Sequence, residues 1–379
     1  MSKVPDLLEI IKPQTPGQKE FLEALKSDKY EIVGVFGPTG TGKSLLSCAY
    51  GISAVLRGKY KRFILSRPVI DVVTGREITA LELGELYYDT VISYLRDILG
   101  TYISFSQIRK LIDEGKIVIA DSHFLRGRTF DDAIIFLDDA QNLPPESAAE
   151  ILMRIGRNSK FIVAGDTVFQ KDIPLEKDGA TLLREILINE EKARVVDLGL
   201  KDVVRPGALR GIRLLLEIRM KKRKLNEKEE KILNSLREHA PDADVLTIIE
   251  FSEEKQKFEI KSEHTPDALI IAKKGYLGRV IGRGGERIQA VEKDTQMRIR
   301  AVEMSLEQRF KDLMQAIHPV PWCIRYIEDI DLAGPQLEVV LRRRGLGPFI
   351  GQKAAHVRFI DSVFRRLMGI GVRARSVEE

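Results

Sequence analysis

The sequence predicts an α/β chain in which a doubly wound, mostly parallel sheet is followed by two small α+β domains. Three observations carry that expectation. Short apolar runs alternate with amphipathic helical stretches from Glu31 to about Arg219. Those runs are apolar on both faces, the pattern of strands covered by helices above and below. The last third of the chain repeats itself, so one small fold is expected there twice.

In chain order, the expected strands are EIVGVF (31–36), RFILS (62–66), KIVIA (116–120), AIIFLD (133–138), KFIVAG (160–165) and ARVVDL (193–198). Helical patterns follow most of them, at 43–57, 84–99, 145–155 and 180–189. The basic run that opens MKKRKLNEKEEKILNSLRE (220–238) marks a domain junction. Beyond it, LGRVIG (277–282) matches LGPFIG (346–351) at an offset of 69, and RIRAVE (298–303) matches RARSVE (373–378) at an offset of 75. A helix and two strand-like runs precede each match: 226–238, 245–250 and 257–272, then 305–317, 322–330 and 336–342. Each copy therefore reads α-β-β-α-α-β. The expected domains are residues 1–222, 223–303 and 304–379.

Bulk properties narrow the function classes. At 379 residues the chain is too long for one ordinary core. It has no run of about eighteen apolar residues, so no membrane span is expected, and MSKVPDLLEI does not read as a secretion signal. Cys48 and Cys323 are too few for a disulfide framework or a zinc site. A reducing cytoplasm is the expected compartment. Charge is uneven: residues 273–300 carry eight Lys or Arg against three acids, and residues 341–375 carry nine against Asp361. The whole chain is only +5, so the rest is acidic. Positive charge gathered in one part of a chain is the footprint of a nucleic-acid binder.

GPTGTGKS (37–44) fits G-x-x-x-x-G-K-[ST] between an expected strand and an expected helix, the context a phosphate-binding loop requires. The backbone of Gly37, Pro38, Thr39, Gly40, Thr41 and Gly42 would wrap the phosphates of ATP at a helix N-terminus. Lys43 would reach the β- and γ-phosphates and Ser44 would ligate Mg²⁺. AIIFLDDAQN (133–142) ends a buried strand with two carboxylates. Asp138 suits the magnesium and Asp139 the attacking water. GDTVFQKD (165–172) follows the next strand, and Asp166 and Gln170 could sense the γ-phosphate or the water. An ordinary polar turn is the alternative reading of that segment.

These residues resemble the PhoH-like ATPase family, relatives of superfamily-one helicases, and the resemblance implies a RecA-like sheet. The matching stretches are KPQTPGQKEF (12–21), GPTGTGKS, SRP (66–68), LRGRTFDDAIIFLDDAQN (125–142), the GD…Q segment and KDVVRPGAL (201–209), in that order. The resemblance implies that Gln18 reads the adenine edge and that Arg128 or Arg205 contacts the γ-phosphate, one of them from a neighbouring subunit. Two departures stand out. The family's strand usually ends Asp-Glu-Ala-Gln, whereas this one reads Asp138-Asp139-Ala140-Gln141. The shorter side chain sets the water-orienting group about 1 Å back, a misplacement worth on the order of a hundredfold in rate. The spacing from Asp166 to Gln170 is one residue longer than in the family.

VIGRGGERI (280–288) places Gly282-Arg283-Gly284-Gly285 between two short helical patterns. It resembles a KH domain, whose G-x-x-G loop clamps about four nucleotides of single strand. The α-β-β-α-α-β order makes both copies type II KH-like, similar to the tandem KH pairs of transcription elongation factors. In the second copy the loop reads Gly351-Gln352-Lys353-Ala354, and a Cβ at the closing position would hinder close backbone contact. That copy is nonetheless basic, with Arg342, Arg343, Arg344, Lys353, Arg358, Arg365 and Arg366. It is expected as an electrostatic support or as a structural partner of the first. Nucleic-acid contacts are expected at Gly282, Arg283, Gly284, Gly285, Arg287, Arg342, Arg343 and Lys353. Trp322 and Cys48 read as packing residues, and His123 and His318 have no partners at metal-ligand spacing.

The expected activity is ATP hydrolysis with Mg²⁺, directed by single-stranded RNA, with DNA as the other candidate polymer. One nucleotide core per chain would require a homo-oligomeric ring, a hexamer by the resemblance, for helicase or translocase action. The alternative is an ATP-gated RNA-binding switch without processive unwinding. A small-molecule kinase would leave the basic half unused.

Overall fold

The computed structural model describes residues 4–71, 76–121, 129–169, 178–304, 306 and 310–377. Its contacts separate Met1–Ala208 from Leu209–Glu379, and that boundary falls within the helix Pro206–Lys222.

In the first unit the six apolar runs become β1 (Ile32–Phe36), β2 (Arg62–Ser66), β5 (Ile117–Ala120), β6 (Ala133–Leu137), β7 (Lys160–Gly165) and β8 (Ala193–Asp197). A two-residue hairpin, β3 (Val69–Ile70) and β4 (Glu77–Ile78), follows β2. The six strands form one sheet in the order β5-β2-β6-β7-β1-β8, with every pair parallel. This is the RecA-like, doubly wound arrangement.

Alternation along the strands explains why both faces are covered. Val33, Val35, Phe63, Leu65, Ile134, Phe136, Ile162 and Ala164 belong to one core. Ile64, Ala133, Ile135, Leu137, Phe161 and Val163 belong to the other. Successive side chains point to opposite faces, so an all-apolar strand demands helices on each. Lys43–Leu56 and Glu85–Leu99 serve the first core, and Gly179–Leu187 the second. Truncating a residue such as Phe136, which is fully buried, would cost about 3–5 kcal/mol.

Because the sheet is parallel, the strands' C-terminal ends share one edge, where ligands bind in such folds. Register brings those ends level: Phe36 pairs with Gly165, and Ser66 with Leu137. The loops that follow carry the phosphate-loop, acidic and Gly-Asp segments.

In the second unit, β9 (Val245–Glu250), β10 (Ala268–Ala272) and β11 (Ile299–Glu303) form one sheet. The other contains β12 (Ile327–Ala333), β13 (Gln336–Leu341) and β14 (Gly371–Ser376). Each pairs its first two strands antiparallel and adds the third in parallel to the middle one. The repeat in sequence is thus a repeat of topology. Two differences distinguish the copies. The strand expected over 257–272 begins only at Ala268: SEEKQK (Ser252–Lys257) forms a helix with acids in its first turn and lysines in its last, the charge order the helix dipole favours, and turns and irregular backbone follow it to Asp267. Most of the additional residues of the second copy lengthen the helix after its loop, which has 14 residues (Ala355–Met368) against 10 (Glu286–Thr295).

Candidate functional site

Gly42 occupies a left-handed conformation (φ 83°) and caps the helix Lys43–Leu56, a role glycine fills without a Cβ penalty. The Lys43 ammonium is buried inside the loop and donates to the Gly37 and Pro38 carbonyls at 2.6 and 2.8 Å. Burial lowers its pKa, while Asp166, Asp139 and Asp138 act the other way.

Ser44 Oγ donates to Asp138 Oδ1 at 3.1 Å, joining the helix start to the end of β6. Tyr94 donates its hydroxyl to the other oxygen of Asp138. Burial, and then the neighbouring Asp139 carboxylate, push Asp138 up to about 6. Asp139 sits in the left-handed region (φ 52°, ψ 43°), uncommon for a non-glycine residue and typical of strained functional loops. Its carboxylate pairs with Arg67 at 2.6 Å and accepts from Gln141 Nε2 at 3.2 Å. The Arg67 guanidinium lies 3.6 Å from the centre of the Tyr94 ring.

Asp166 accepts from the Val168 and Phe169 amides through Oδ1 at 2.9 and 2.8 Å. Its Oδ2 is buried without a hydrogen-bond partner among the described residues, as are Ser66 Oγ and Thr167 Oγ1. Buried polar atoms are ordinarily satisfied; an unspent carboxylate oxygen suits a hydrated cation, and the two unspent hydroxyls can donate to a phosphate or a water. The Ser44 hydroxyl and the Asp138 carboxylate, 3.1 Å apart, are oxygen donors of the kind magnesium takes.

The other expected residues divide. Gln18 lies beside the loop, nearly fully buried, with Nε2 on the Thr41 carbonyl at 3.0 Å and Oε1 on the Gln14 amide at 2.7 Å. Arg205 reaches the loop from its own chain, donating to Thr39 Oγ1 at 2.7 Å. Asp202, in the turn before Arg205, accepts from Thr15 Oγ1 at 2.5 Å and from the Gly199 amide at 2.9 Å. Arg128 and Gln170 lie outside the described residues. Sequence reasoning assigned no role to Arg67 or Tyr94. Arg67 had a signal, since it directly follows β2 at the ligand edge. Tyr94 sits in the amphipathic helix Glu85–Leu99 and had none.

In the second unit, Gly282 (φ 77°, ψ 176°), Gly284 (62°, 12°) and Gly285 (86°, 10°) shape the first loop. The second loop retraces it with Gly351 (74°, 171°), Lys353 (48°, 28°) and Ala354 (62°, 24°). Two side-chain-bearing residues thus hold a backbone that favours glycine. Arg283 and Lys353 are exposed. Arg287 is engaged with Asp242 at 2.6 Å and the Arg279 carbonyl at 2.7 Å, and Arg342 pairs with Glu328. The second copy packs on the first through Arg366, which reaches Glu254 at 2.5 Å and Glu229 at 3.2 Å, and through Phe359 against Phe251. No helix among the described residues is long and apolar enough to cross a membrane.

Comparison with known proteins agrees with both halves. A family model described as KH domain matches residues 245–309. The PhoH-like protein of Bacillus subtilis (strain 168) is 34% identical over 196 residues, 52% of this chain and 60% of that protein. The PhoH-like protein of Synechocystis is 34% identical over 200 residues, 52% of this chain and 59% of its own length. Protein PhoH of Escherichia coli (strain K12) is 31% identical over 192 residues, 50% and 53% of the two chains. The chain therefore spans about three fifths or less of these relatives. The family model described as PhoH-like protein matches residues 10–217, more than half of the chain, and the chain belongs to that family.

Proposed function

We propose that this protein hydrolyses ATP at the sheet edge of its first unit and couples that reaction to single-stranded RNA held by its second. The observation that carries the reading is the Ser44–Asp138 hydrogen bond at 3.1 Å beside the buried Lys43 ammonium and the unspent Asp166 oxygen. Lys43 would exchange the Gly37 and Pro38 carbonyls for phosphate oxygens, an exchange that returns a charge to a partly desolvated ammonium. Ser44, Asp138 and Asp166 would hold Mg²⁺, which neutralises charge on the phosphates when bound. Asp139 would orient the water that attacks the γ-phosphorus as the bond to ADP breaks. Arg205, already on Thr39 of its own chain, supports contact with the γ-phosphate in cis. Gln18 would read adenine by giving up one of its two backbone partners.

Exposed Arg283 and the glycines 282, 284 and 285 support a close approach of phosphate backbone at the first loop. With one nucleotide loop per chain, directional movement along RNA would take a ring, and a hexamer suits it. A second reading is favoured by one observation: the Asp139 carboxylate is committed to Arg67 and Gln141. A committed carboxylate suits a slow, switch-like ATPase that gates RNA affinity. Strand displacement on a tailed RNA duplex tests the two. Opening of the duplex with ATP supports the motor; RNA-stimulated turnover with no opening in either tail orientation supports the switch.

A further inference from the structure

We propose that the hollow bordered by Trp322 in the second unit binds an unstacked nucleobase, and so extends the nucleic-acid surface beyond the two glycine loops. The inference rests on the single-strand reading above and assigns it a base-recognition site.

The local fold turns Trp322 outward. The 3-10 turn Pro321–Tyr326 buries Cys323 and Ile324 completely or nearly so. Trp322, on the other side of that turn, keeps 50% of its surface exposed. Sequence alone suggested a packing residue; the turn makes it the opposite. Its ring meets Tyr326 edge-to-face, with centroids 6.0 Å apart at 82°. The Arg325 guanidinium lies 5.7 Å from its centre and 4.9 Å from that of Tyr326. An indole beside a second aromatic ring and a guanidinium is the composition on which single-stranded bases stack.

The hollow beside it holds about 710 Å³, within the range of small-ligand sites; Trp322, Pro321 and Ala316 give it an apolar floor, and His264, Arg300, Asp312 and Gln315 supply polar groups around it. Arg300 is fixed by donating to the Ala316 carbonyl at 2.8 Å. Gln315 and Asp312 are exposed and offer both a donor and acceptors to a base edge. An apolar floor edged by hydrogen-bonding groups matches a nucleobase, which has an apolar face and a polar edge.

A path for the phosphates adjoins the hollow. A second hollow, of about 580 Å³, is lined by Lys257, Lys261, Lys353 and Arg358 and reaches the second loop. The two hollows are neighbours in the chain: Ser262 and Pro319 line the second, while His264 and Pro321, two residues beyond each, line the first. Ser262 Oγ ties those segments together by donating to the Pro319 carbonyl at 2.6 Å. A strand whose backbone follows these basic residues would present a base at Trp322.

Trp322 is the chain's only tryptophan, so its fluorescence reports this hollow alone. The full-length protein is titrated with a single-stranded RNA oligonucleotide and with an abasic oligonucleotide of equal length, while anisotropy of a labelled oligonucleotide follows binding separately. The proposal expects quenching by the base-bearing strand and little by the abasic one. It also expects about tenfold weaker binding for Trp322→Ala, and near-normal binding for Trp322→Phe, in line with about 1–3 kcal/mol per stacked base. If anisotropy reports tight binding but the emission is unmoved and Trp322→Ala binds as well as wild type, the base site is wrong and the broader reading survives. If no oligonucleotide binds at all, the broader reading fails and takes this proposal with it. Emission that shifts with protein concentration and not with oligonucleotide would instead assign Trp322 to an interface between copies and overturn the proposal.

Discussion

Arg67 and Asp139 form an ion pair with Nη2 and Oδ2 2.6 Å apart, and the guanidinium lies over the Tyr94 ring at 3.6 Å. Tyr94 in turn donates to Asp138. The two carboxylates at the end of β6 are thereby held by one residue after β2 and one from the helix Glu85–Leu99. That brace fixes a side chain one methylene shorter than the family's usual glutamate.

Arg67→Ala should therefore lower kcat on the order of ten- to a hundredfold while KM for ATP changes little, since it would loosen the carboxylate proposed to orient the attacking water. Arg67→Lys keeps the charge but loses the flat stack on Tyr94, and should fall between. Steady-state ATP hydrolysis checks this; unchanged kcat in Arg67→Ala would mean the pair has no part in turnover.

The glycine loop of the first copy should carry phosphate contact. Replacing Arg283 and Gly284 with aspartates puts like charge beside the backbone, and affinity for single-stranded RNA should drop at least about tenfold, with a shallower salt slope. Binding measured between low and moderate salt decides; an unaltered slope would place the contact elsewhere.

Ala354 holds a left-handed backbone (φ 62°, ψ 24°) before the helix Ala355–Met368. Ala354→Gly removes the Cβ penalty and should stabilise the second unit by about 0.5–1 kcal/mol despite the freer unfolded chain. Chemical denaturation reads the change.

His318 is fully buried, its Nδ1 accepting from the Val320 amide at 2.9 Å and its Nε2 facing the Phe349 carbonyl at 3.2 Å. Burial pushes it down to about 4, and the nearby His356 ring adds to the effect. The folded value is depressed below the usual 6.5. Between those values the unfolded chain binds a proton that the folded chain does not, so stability falls as pH drops through that window. The full loss would be about 3 kcal/mol. Thermal midpoints recorded from pH 7 to pH 4 should fall more steeply in wild type than in His318→Gln.

Much of this architecture was legible from periodicity. The strands of the first sheet lie within one residue of the apolar runs at each end, because covered parallel strands must be apolar on both faces. The phosphate loop was legible because glycines and lysine at fixed spacing leave few other folds for that backbone. What escaped was tertiary. Nothing near Tyr94 in sequence points to Asp138, 44 residues away. The outward turn of Trp322 depends on Cys323 and Ile324 being taken inward, which hydropathy at one position does not reveal. The strand-like run expected over 257–272 narrowed to Ala268–Ala272, because Lys257 closes the charged helix SEEKQK and turns and irregular backbone fill the residues between. The outcome at Lys353 and Ala354 has the same origin, since tertiary packing held a glycine-like backbone after the glycines were gone.

The most direct test is ATP turnover by the purified full chain as single-stranded RNA is added at millimolar magnesium, in wild type and in Lys43→Ala. The account predicts turnover that rises with RNA in wild type and vanishes in Lys43→Ala, which should still bind RNA. A wild-type protein that retains no adenine nucleotide, or whose turnover ignores RNA at saturating concentration, would contradict it.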